Sequence, residues 1–418
     1  MRALLGGILL GLWCLTAARA AVAQETSYRG ELISRSRELK LSEQRRWRRL
    51  LHYQERGRGW RSEADGEKFF LSPRGRTEPQ AELEATITAF FEPQPAEPKA
   101  QHPQCRFPAR YAWLKDRLAF DRQRLPERPC PAYQAWREAI GAQAVSLVFA
   151  DAFLGNPSSM YGHTFLRLHR RADGGGDALL DYTLNFEGIP NTDNVLLYTL
   201  RGVYGGFRGE FSLQPFYLKT QEYSNLECRD LWDYPLDLSP RQIDALLQHA
   251  WEMGSTHFDY YFFTKNCSYQ LLTLLEAADD SLEASARFPF AVIPGDTVRA
   301  LMSRPGLVGQ PRYRPSFVTE LKARRARLSE GERAAAARLG GGADPADPAV
   351  LRASPPARQA LVLDSAHDYL LYRAGFYMKP STATAAAEHA LLVARGRLGE
   401  PPQPLAVPAP RPLESGHD

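Results

Sequence analysis

Residues 145–168 read Val145-Ser-Leu-Val-Phe-Ala-Asp-Ala-Phe-Leu-Gly-Asn-Pro-Ser-Ser-Met-Tyr-Gly-His-Thr-Phe-Leu-Arg-Leu168. The apolar run 145–150 predicts a buried strand, and the alternation over 163–168 predicts a second strand. Between them, Gly155, Pro157 and Gly162 indicate a tight turn that leads into His163. A histidine at the mouth of a strand can point into a cleft, so this stretch carries both a fold signal and a candidate functional residue.

Further strands and helices follow along the chain. Residues 178–186 alternate like a third strand, and the Gly-rich stretch 202–209 with 210–213 predicts a hairpin. Ser239 caps a helix with Pro240 at its first position, and a last helix of this region begins near Asn266. These elements predict an α+β fold, with an antiparallel sheet packed on helices over residues 101–295.

The flanking regions have a different texture. Residues 24–100 predict a helical region, with one surface helix over 27–60, that ends in a Pro-rich linker. Residues 296–400 predict further helices, with a loosely ordered Ala/Gly/Pro-rich insertion near 330–360. Residues 401–418 form a Pro-rich tail.

The first residues indicate the cellular compartment of the protein, and the composition limits the classes of partner it can bind. Residues 1–23 have a basic start, an apolar run and the small residues of a secretory signal peptide, with cleavage expected after Ala20 or Ala23, of which Ala23 is preferred. No later stretch of about 18 apolar residues predicts a membrane helix, so the mature chain is expected to be exported and soluble or peripheral. The chain has 418 residues, and its 52 basic residues are nearly balanced by 48 acidic ones. Without a long Arg-rich run, a nucleic-acid partner is not indicated.

Cysteine usage leaves two readings open. The signal segment contains Cys14, and the other four are Cys105, Cys130, Cys228 and Cys267. An even number in an oxidising compartment is typical of disulfides. No Cys-x-x-Cys spacing is present, which disfavours a structural zinc site or thioredoxin-type chemistry.

The segment Lys265-Asn-Cys-Ser-Tyr-Gln-Leu-Leu-Thr-Leu-Leu275 predicts a helix with Asn266 as its N-cap. Cys267 then lies in the first turn, where unpaired backbone N–H groups and the helix dipole favour a thiolate. Such positions lower the pKa of a cysteine from about 8.5 to roughly 3.5–7.5. The same N–H groups can bind the oxyanion formed when a thiolate attacks an acyl carbonyl. A disulfide with Cys228, or an inert core cysteine, is the alternative interpretation.

A thiolate nucleophile needs a base, and His163 is the candidate. It could deprotonate Cys267 and later protonate a leaving group, with Asn185 on the next strand orienting the imidazole. Asn185 reads equally well as a turn residue at a strand end. The other histidines considered, His169, His249 and His257, are interpreted as structural. A serine nucleophile is a weaker alternative, and no metal-binding motif or cofactor is indicated.

Several stretches of the chain resemble the Lnb-type N-terminal periplasmic domain family. They are Phe69-Phe-Leu-Ser-Pro-Arg-Gly75, Cys105-Arg-Phe-Pro-Ala-Arg110, Asn156-Pro-Ser-Ser-Met-Tyr-Gly-His-Thr-Phe-Leu-Arg167, Thr183-Leu-Asn-Phe186, Glu227-Cys-Arg-Asp230 and Tyr260-Tyr-Phe-Phe-Thr-Lys-Asn-Cys-Ser-Tyr269. The order of His, strand polar residue and Asn-Cys is also similar to circularly permuted papain-like enzymes of the lecithin:retinol acyltransferase type.

This resemblance implies a permuted papain-like core with Cys267 as nucleophile, His163 as base and Asn185 as the orienting residue. It implies acyl transfer onto lipoproteins, with a phospholipid as acyl donor. Peripheral contact with a membrane is expected for the exported chain. Cys105 and Cys130 bracket one unit of the chain and are the preferred disulfide. The alternatives are a cell-wall peptidase or amidase that uses the same pair, and a non-catalytic envelope protein. An apolar groove beside Cys267 would favour a lipid substrate, and a polar, acidic groove would favour peptidoglycan.

Overall fold

The computed structural model describes residues 27–97, 100–153, 159–171, 180–345, 349–375 and 381–410. The signal peptide predicted over residues 1–23 lies outside the described residues. The fold is α+β, as predicted, with an antiparallel sheet flanked by helices and helical regions at both ends. Among the described residues, no helix combines the length and hydrophobicity that a bilayer crossing requires.

The main sheet has seven strands, and the first two strands form a separate hairpin. The strands are β1 Tyr53–Arg56, β2 Gly59–Ser62, β3 Ala144–Ala150, β4 His163–His169, β5 Tyr182–Ile189, β6 Phe207–Pro215, β7 Leu231–Leu236, β8 Phe258–Tyr260 and β9 Arg312–Arg314. The order in the main sheet is β8-β6-β5-β4-β3-β7-β9, and every neighbouring pair is antiparallel. Strand β4, which begins at His163, is therefore the middle strand.

Helices precede, cover and follow this sheet. They are α1 over residues 27–38, α2 Arg45–Leu50, α3 Pro79–Ala89, α4 Pro103–Arg106, α5 Pro108–Leu118, α6 Pro131–Ile140, α7 Val195–Tyr204, α8 Phe216–Thr220, α9 Pro240–Met253, α10 Cys267–Ala278, α11 Pro294–Met302, α12 Phe317–Ala326, α13 Glu330–Gly340, α14 Ala349–Ala353, α15 Pro356–Ala374 and α16 Thr382–Arg397. Helices α13 to α16 share a second, smaller hydrophobic core.

Strand β4 is buried on both faces of the sheet. All of its residues are buried, and successive side chains of a strand point to opposite faces. Leu166 and Leu168 join the main core on the face covered by α10, which we call the α10 face. Phe165 packs with Phe216 of α8 and with Tyr223, which defines the α8 face. The residues of β4 therefore alternate between two hydrophobic cores.

Three segments differ from the sequence prediction. Residues 27–60 contain α1, α2 and the start of the β1–β2 hairpin instead of one helix, because Lys40 and His52 adopt left-handed backbone conformations. The stretch predicted as a hairpin over 202–213 holds the end of α7 and most of β6. Near 330–360 the described residues are mostly helical, since Ser329 and Glu332 form a capping box at the start of an Ala-rich helix.

Other local predictions agree with the structure. Helix α9 begins with a capping box in which the Ser239 hydroxyl accepts from the Gln242 backbone N–H and the Gln242 side chain accepts from the Ser239 backbone. Cys105 and Cys130 form the disulfide preferred in the sequence analysis, and it joins α4 to the residue before α6. Cys228 and Cys267 are both free, so the alternative Cys228–Cys267 disulfide is not present.

A fully buried arginine ties the N-terminal region to the core. Arg110 of α5 donates from Nη1 to Glu82 of α3 at 3.0 Å and from Nη2 to the Phe69 carbonyl at 2.9 Å. Glu252 of α9 accepts from the Arg110 backbone N–H at 2.9 Å and lies 3.4 Å from Nε. Burial raises the pKa of Glu252 to about 7, although the Arg110 charge acts in the opposite direction. The three elements are thus held together by charges that compensate one another.

We expect Arg110→Met to destabilise the protein strongly, because it leaves two buried carboxylates without a cation. The expected loss is about 3–5 kcal/mol in the free energy of unfolding, measured by urea denaturation. The matched control is Arg74→Met, because Arg74 forms an exposed ion pair with Glu78 and should change the urea midpoint little. Equal midpoints for the two variants would contradict the role assigned to Arg110.

Candidate active site

Cys267 is the first residue of α10, as the sequence predicts. The Asn266 side chain accepts from the Tyr269 backbone N–H at 3.2 Å, which makes Asn266 the N-cap. Its amide nitrogen also donates to the carbonyls of Phe262 and Val292 at 3.0 and 2.7 Å. The N-cap therefore fixes both the helix start and the two segments that cover it.

The sulfur of Cys267 is a buried thiol. Cys267 is only 2% exposed, and its Sγ lies 3.8 Å from the Ser268 hydroxyl. Burial raises the pKa of Cys267, and hydrogen bonding with Thr164 and Ser268 offsets only part of this effect. The helix N-terminus predicted a lowered pKa, so here desolvation outweighs the helix dipole.

His163 occupies the start of β4 in a mostly aromatic environment. The preceding Gly162 has φ +92°, and a Cβ there would lie 2.5 Å from the Phe149 ring, so the approach to His163 requires glycine. The imidazole packs 5.6 Å from the Tyr223 ring. Burial, with repulsion from Arg229 and Lys219, holds the pKa of His163 well below 6.5. The imidazole is therefore neutral near pH 7.

The thiol and the imidazole approach β4 from opposite faces. His163 contacts Tyr223 on the α8 face, whereas the Thr164 hydroxyl lies 2.7 Å from the Ser268 hydroxyl on the α10 face. Within the described chain, Nε2 of His163 is buried and has no hydrogen-bond partner. The structure thus brings Cys267 against the residue that follows His163, but no hydrogen bond joins the sulfur to the imidazole.

Asn185 lies on β5, on the same face as His163. Leu166 of β4 pairs with Leu184 of β5, so Asn185 points to the α8 face. It is fully buried, and Nδ2 donates to the Thr183 hydroxyl at 3.0 Å. Its Oδ1 has no partner among the described residues, and no hydrogen bond joins it to His163 there. Two unpaired polar atoms, Asn185 Oδ1 and His163 Nε2, are therefore buried on one face.

One cavity lies at Cys267 and another at His163, and Phe262 lines both of them. The cavity at Cys267 has a volume of about 20 Å³ and is lined mostly by apolar groups, among them Phe262, Phe263, Val292 and Ile293. The cavity at His163 has a volume of about 220 Å³ and reaches Tyr260 and Phe262. A larger cavity of about 810 Å³, lined by Trp136 and Trp251, contains neither Cys267 nor His163 in its lining. The lining at the sulfur is thus apolar, which is the environment that favours a lipid substrate.

Tyr260 is a residue of this site that the sequence analysis did not single out. It is buried and lines the cavity at His163. Burial and the nearby Cys267 sulfur keep the pKa of Tyr260 well above 10, so the phenol is protonated. Its position in the alternating strand 258–260, just before Asn266-Cys267, is the sequence signal that could have identified it.

Carboxylates line the cavity at His163, but each has a cationic partner. Lys219 contacts Glu187 at 2.5 Å and Glu222 at 2.9 Å. Arg229 contacts Glu227 at 2.8 Å. The acidic groups near the imidazole are therefore paired.

A second constellation, Ser146, His169 and Asp181, has the order of a serine triad. The Ser146 hydroxyl lies 2.6 Å from His169 Nε2, and His169 Nδ1 lies 3.0 Å from Asp181 Oδ2. However, Ser146 is 1% exposed in the middle of β3, and Asp181 also accepts from the Arg167 guanidinium at 2.8 Å. Unlike Cys267, Ser146 is not in the lining of any of the three cavities described above, so we interpret this network, including His169, as structural.

The comparisons with known proteins identify the segment that contains these residues. Residues 132–304 match the Lnb N-terminal periplasmic domain family, which confirms the resemblance seen in the sequence. Residues 39–117 and 311–407 match two domains of unknown function, DUF7843 and DUF7842. No curated protein and no solved structure matches the chain. Cys267, His163 and Asn185 all lie within residues 132–304, the segment that matches the Lnb N-terminal periplasmic domain family.

Proposed function

We propose that the protein is a periplasmic enzyme that removes an acyl group from a lipid or lipoprotein through a thioester on Cys267. The acyl group then passes to an acceptor amine or to water. The observation that carries the proposal is the free Cys267 thiol in the first turn of α10, facing an apolar cavity within the Lnb-type segment. The signal-peptide pattern of residues 1–23 and the periplasmic family support export.

The proposed reaction has two steps. In the first, the thiol proton of Cys267 moves to the neutral imidazole of His163 while the sulfur attacks the acyl carbonyl carbon. The new S–C bond forms, the ester C–O bond breaks, and the leaving oxygen takes the proton from the imidazolium. In the second, an amine or water gives a proton to the imidazole as it attacks the thioester carbonyl carbon; the new C–N or C–O bond forms, the S–C bond breaks, and the leaving sulfur takes the proton from the imidazolium, which restores the thiol. The N–H groups at the start of α10 are the oxyanion donors in both steps.

The protonation states of the site favour general-base catalysis over a preformed ion pair. Burial keeps the pKa of Cys267 high and the pKa of His163 low, so both groups are neutral near pH 7. A neutral imidazole is the form that can accept the thiol proton. The imidazole must approach the sulfur during the reaction, and catalytic hydrogen bonds often tighten only in the complex with substrate. Asn185 is the proposed orienting residue, since its Oδ1 is buried and unpaired on the face of His163.

The acyl-enzyme itself is the most direct test of the proposal. After incubation with phospholipid vesicles, intact mass spectrometry of the wild type should show an added acyl group. Cys267→Ala should show none, because it has no sulfur to form the thioester. Cys228→Ser is the matched control, since Cys228 is the other free cysteine of the described chain, and it should keep the adduct. An adduct on Cys267→Ala, or none on the wild type, would contradict the proposal.

The pH dependence of cysteine alkylation tests whether the Cys267 thiol and the His163 imidazole are both uncharged near pH 7. In Cys228→Ser, iodoacetamide should modify Cys267 slowly at pH 7, with a rate that rises about tenfold per pH unit up to a pKa above the ordinary value of about 8.5. The sign follows from burial, which disfavours the thiolate and raises the pKa. A rate that is already at its plateau below pH 7 would instead show a thiolate–imidazolium pair.

Substitution of the proposed base separates its role from that of the nucleophile. His163→Gln should slow formation of the acyl adduct by roughly 10²–10⁴-fold near pH 7. Asn185→Ala should give a smaller loss, because it changes only the orientation of the imidazole. The control is His367→Gln, on α15 outside the Lnb-type segment. An unchanged rate in His163→Gln would reject His163 as the base and leave the role of Cys267 standing.

A cell-wall peptidase or amidase is the second candidate. The observation in its favour is the group of carboxylates at the His163 cavity, Glu187, Glu222 and Glu227. Their pairing with Lys219 and Arg229 weakens it, because paired carboxylates do not attract an amino group of a stem peptide strongly. Release of peptides from peptidoglycan by the wild type but not by Cys267→Ala would support this candidate. Absence of both activities would favour the non-catalytic alternative.

A further inference from the structure

Helix α7 presents an unusual apolar surface. Val195, Leu196 and Tyr204 are 72%, 71% and 78% exposed, and Leu200 and Val203 are also exposed. Gly202 is the one buried residue of this helix. Contiguous exposed apolar groups of this kind mark interaction sites in soluble proteins.

The inner side of α7 is anchored on the candidate active site. The Phe262 backbone N–H donates to the Gly202 carbonyl at 2.7 Å, and the rings of Tyr198 and Phe262 lie 5.4 Å apart. A Cβ on Gly202 would lie 2.2 Å from the Phe262 ring, so glycine is needed for this approach. Tyr198 of α7 lines the His163 cavity and packs on Phe262, which lines both cavities, so α7 lies directly beside the candidate site.

The exposed surface continues to the mouth of the Cys267 cavity. Phe263 and Ile293 line that cavity and are 41% and 37% exposed. Tyr161 contacts the Phe263 ring at 6.2 Å, and Phe290 lies three residues before Ile293 and is highly exposed. We call these four residues, together with the outer side chains of α7, the apolar rim.

We propose that the apolar rim docks on the surface of a phospholipid bilayer, with α7 lying in the interface. This inference rests in part on the proposed function, because it supplies the route by which a lipid reaches Cys267. Helix α7 carries one charged side chain, Arg201, and no carboxylate. Arg201 lies in the last turn and donates to Asn191 at 2.5 Å, and a cation at this edge suits lipid phosphates. Tyr and Phe side chains also favour the boundary between headgroups and acyl chains.

The size of the cavity favours a bilayer over a second copy of the chain. About 20 Å³ at Cys267 is room for roughly one water molecule, so an acyl chain must enter through the rim. A bilayer would cover the exposed apolar groups and also present the acyl chains. A second copy seated on the rim would cover the same groups but close the entrance.

Binding to vesicles tests this proposal independently of catalysis. We choose vesicles of phosphatidylethanolamine and phosphatidylglycerol at a ratio of about 3:1 and measure binding by co-sedimentation. The double variant Leu196→Asp/Leu200→Asp should bind at least tenfold more weakly than the wild type. The matched control is Leu392→Asp on α16, where Leu392 is 50% exposed but lies outside the rim, and it should bind like the wild type.

The outcomes distinguish docking from the proposed reaction. Cys267→Ala should bind vesicles like the wild type. A wild type that binds vesicles but forms no acyl adduct would contradict the proposed thioester and leave the docking proposal standing. Equal binding by the wild type and the double variant, with unchanged far-UV circular dichroism, would overturn the docking proposal. It would also be overturned by a wild type that is dimeric and does not bind vesicles while the double variant is monomeric.

Discussion

The alternation of β4 between two cores is the constraint on which the rest of the structure depends. Because β4 is the middle strand and is buried throughout, neither face can be left to water. Leu166 and Leu168 require α10 on one face, and Phe165 requires α8 and Tyr223 on the other. A shift of one residue in the register would exchange these sets and put Arg167 into the main core. The same alternation separates His163 from Thr164 and so divides the candidate site between the two faces.

Buried charges make this arrangement specific. On the α8 face, Arg167 of β4 donates to Asp181 and, at 2.9 Å, to Asp233 of β7, which joins three parts of the sheet. On the other face, Arg110 links α3, α5 and α9 through Glu82 and Glu252. Buried pairs of this kind add little net stability compared with apolar packing, but an alternative packing would leave one partner uncompensated. Hydrophobic burial therefore drives the fold, and the two arginines select one arrangement of it.

Local patterns were sufficient for some elements of the fold and site but not for others. The alternation at 163–168 gave β4, and Asn266 gave the start of α10, because strand period and N-capping act over a few residues. Helix α7 was missed because its apolar run has neither the alternation of a strand nor a polar face, and its anchor on Phe262 is distant in sequence. Likewise, the alternation of β4 could not show which face α10 would cover. The position of His163 relative to Cys267 is thus a property of the tertiary structure.

The protonation state of Cys267 also depends on one contribution that is local in sequence and one that comes from the tertiary structure. A helix N-terminus stabilises a negative charge by typically 0.3–1 kcal/mol and up to about 2 kcal/mol, and the sequence alone reveals this contribution. The opposing contribution is desolvation, which depends on Phe262, Phe263 and Ile293 closing over the sulfur. Phe263 and Ile293 line the cavity at the sulfur and also belong to the apolar rim. In the proposed mechanism, the environment of the thiol and the contact with lipid therefore depend on the same two side chains.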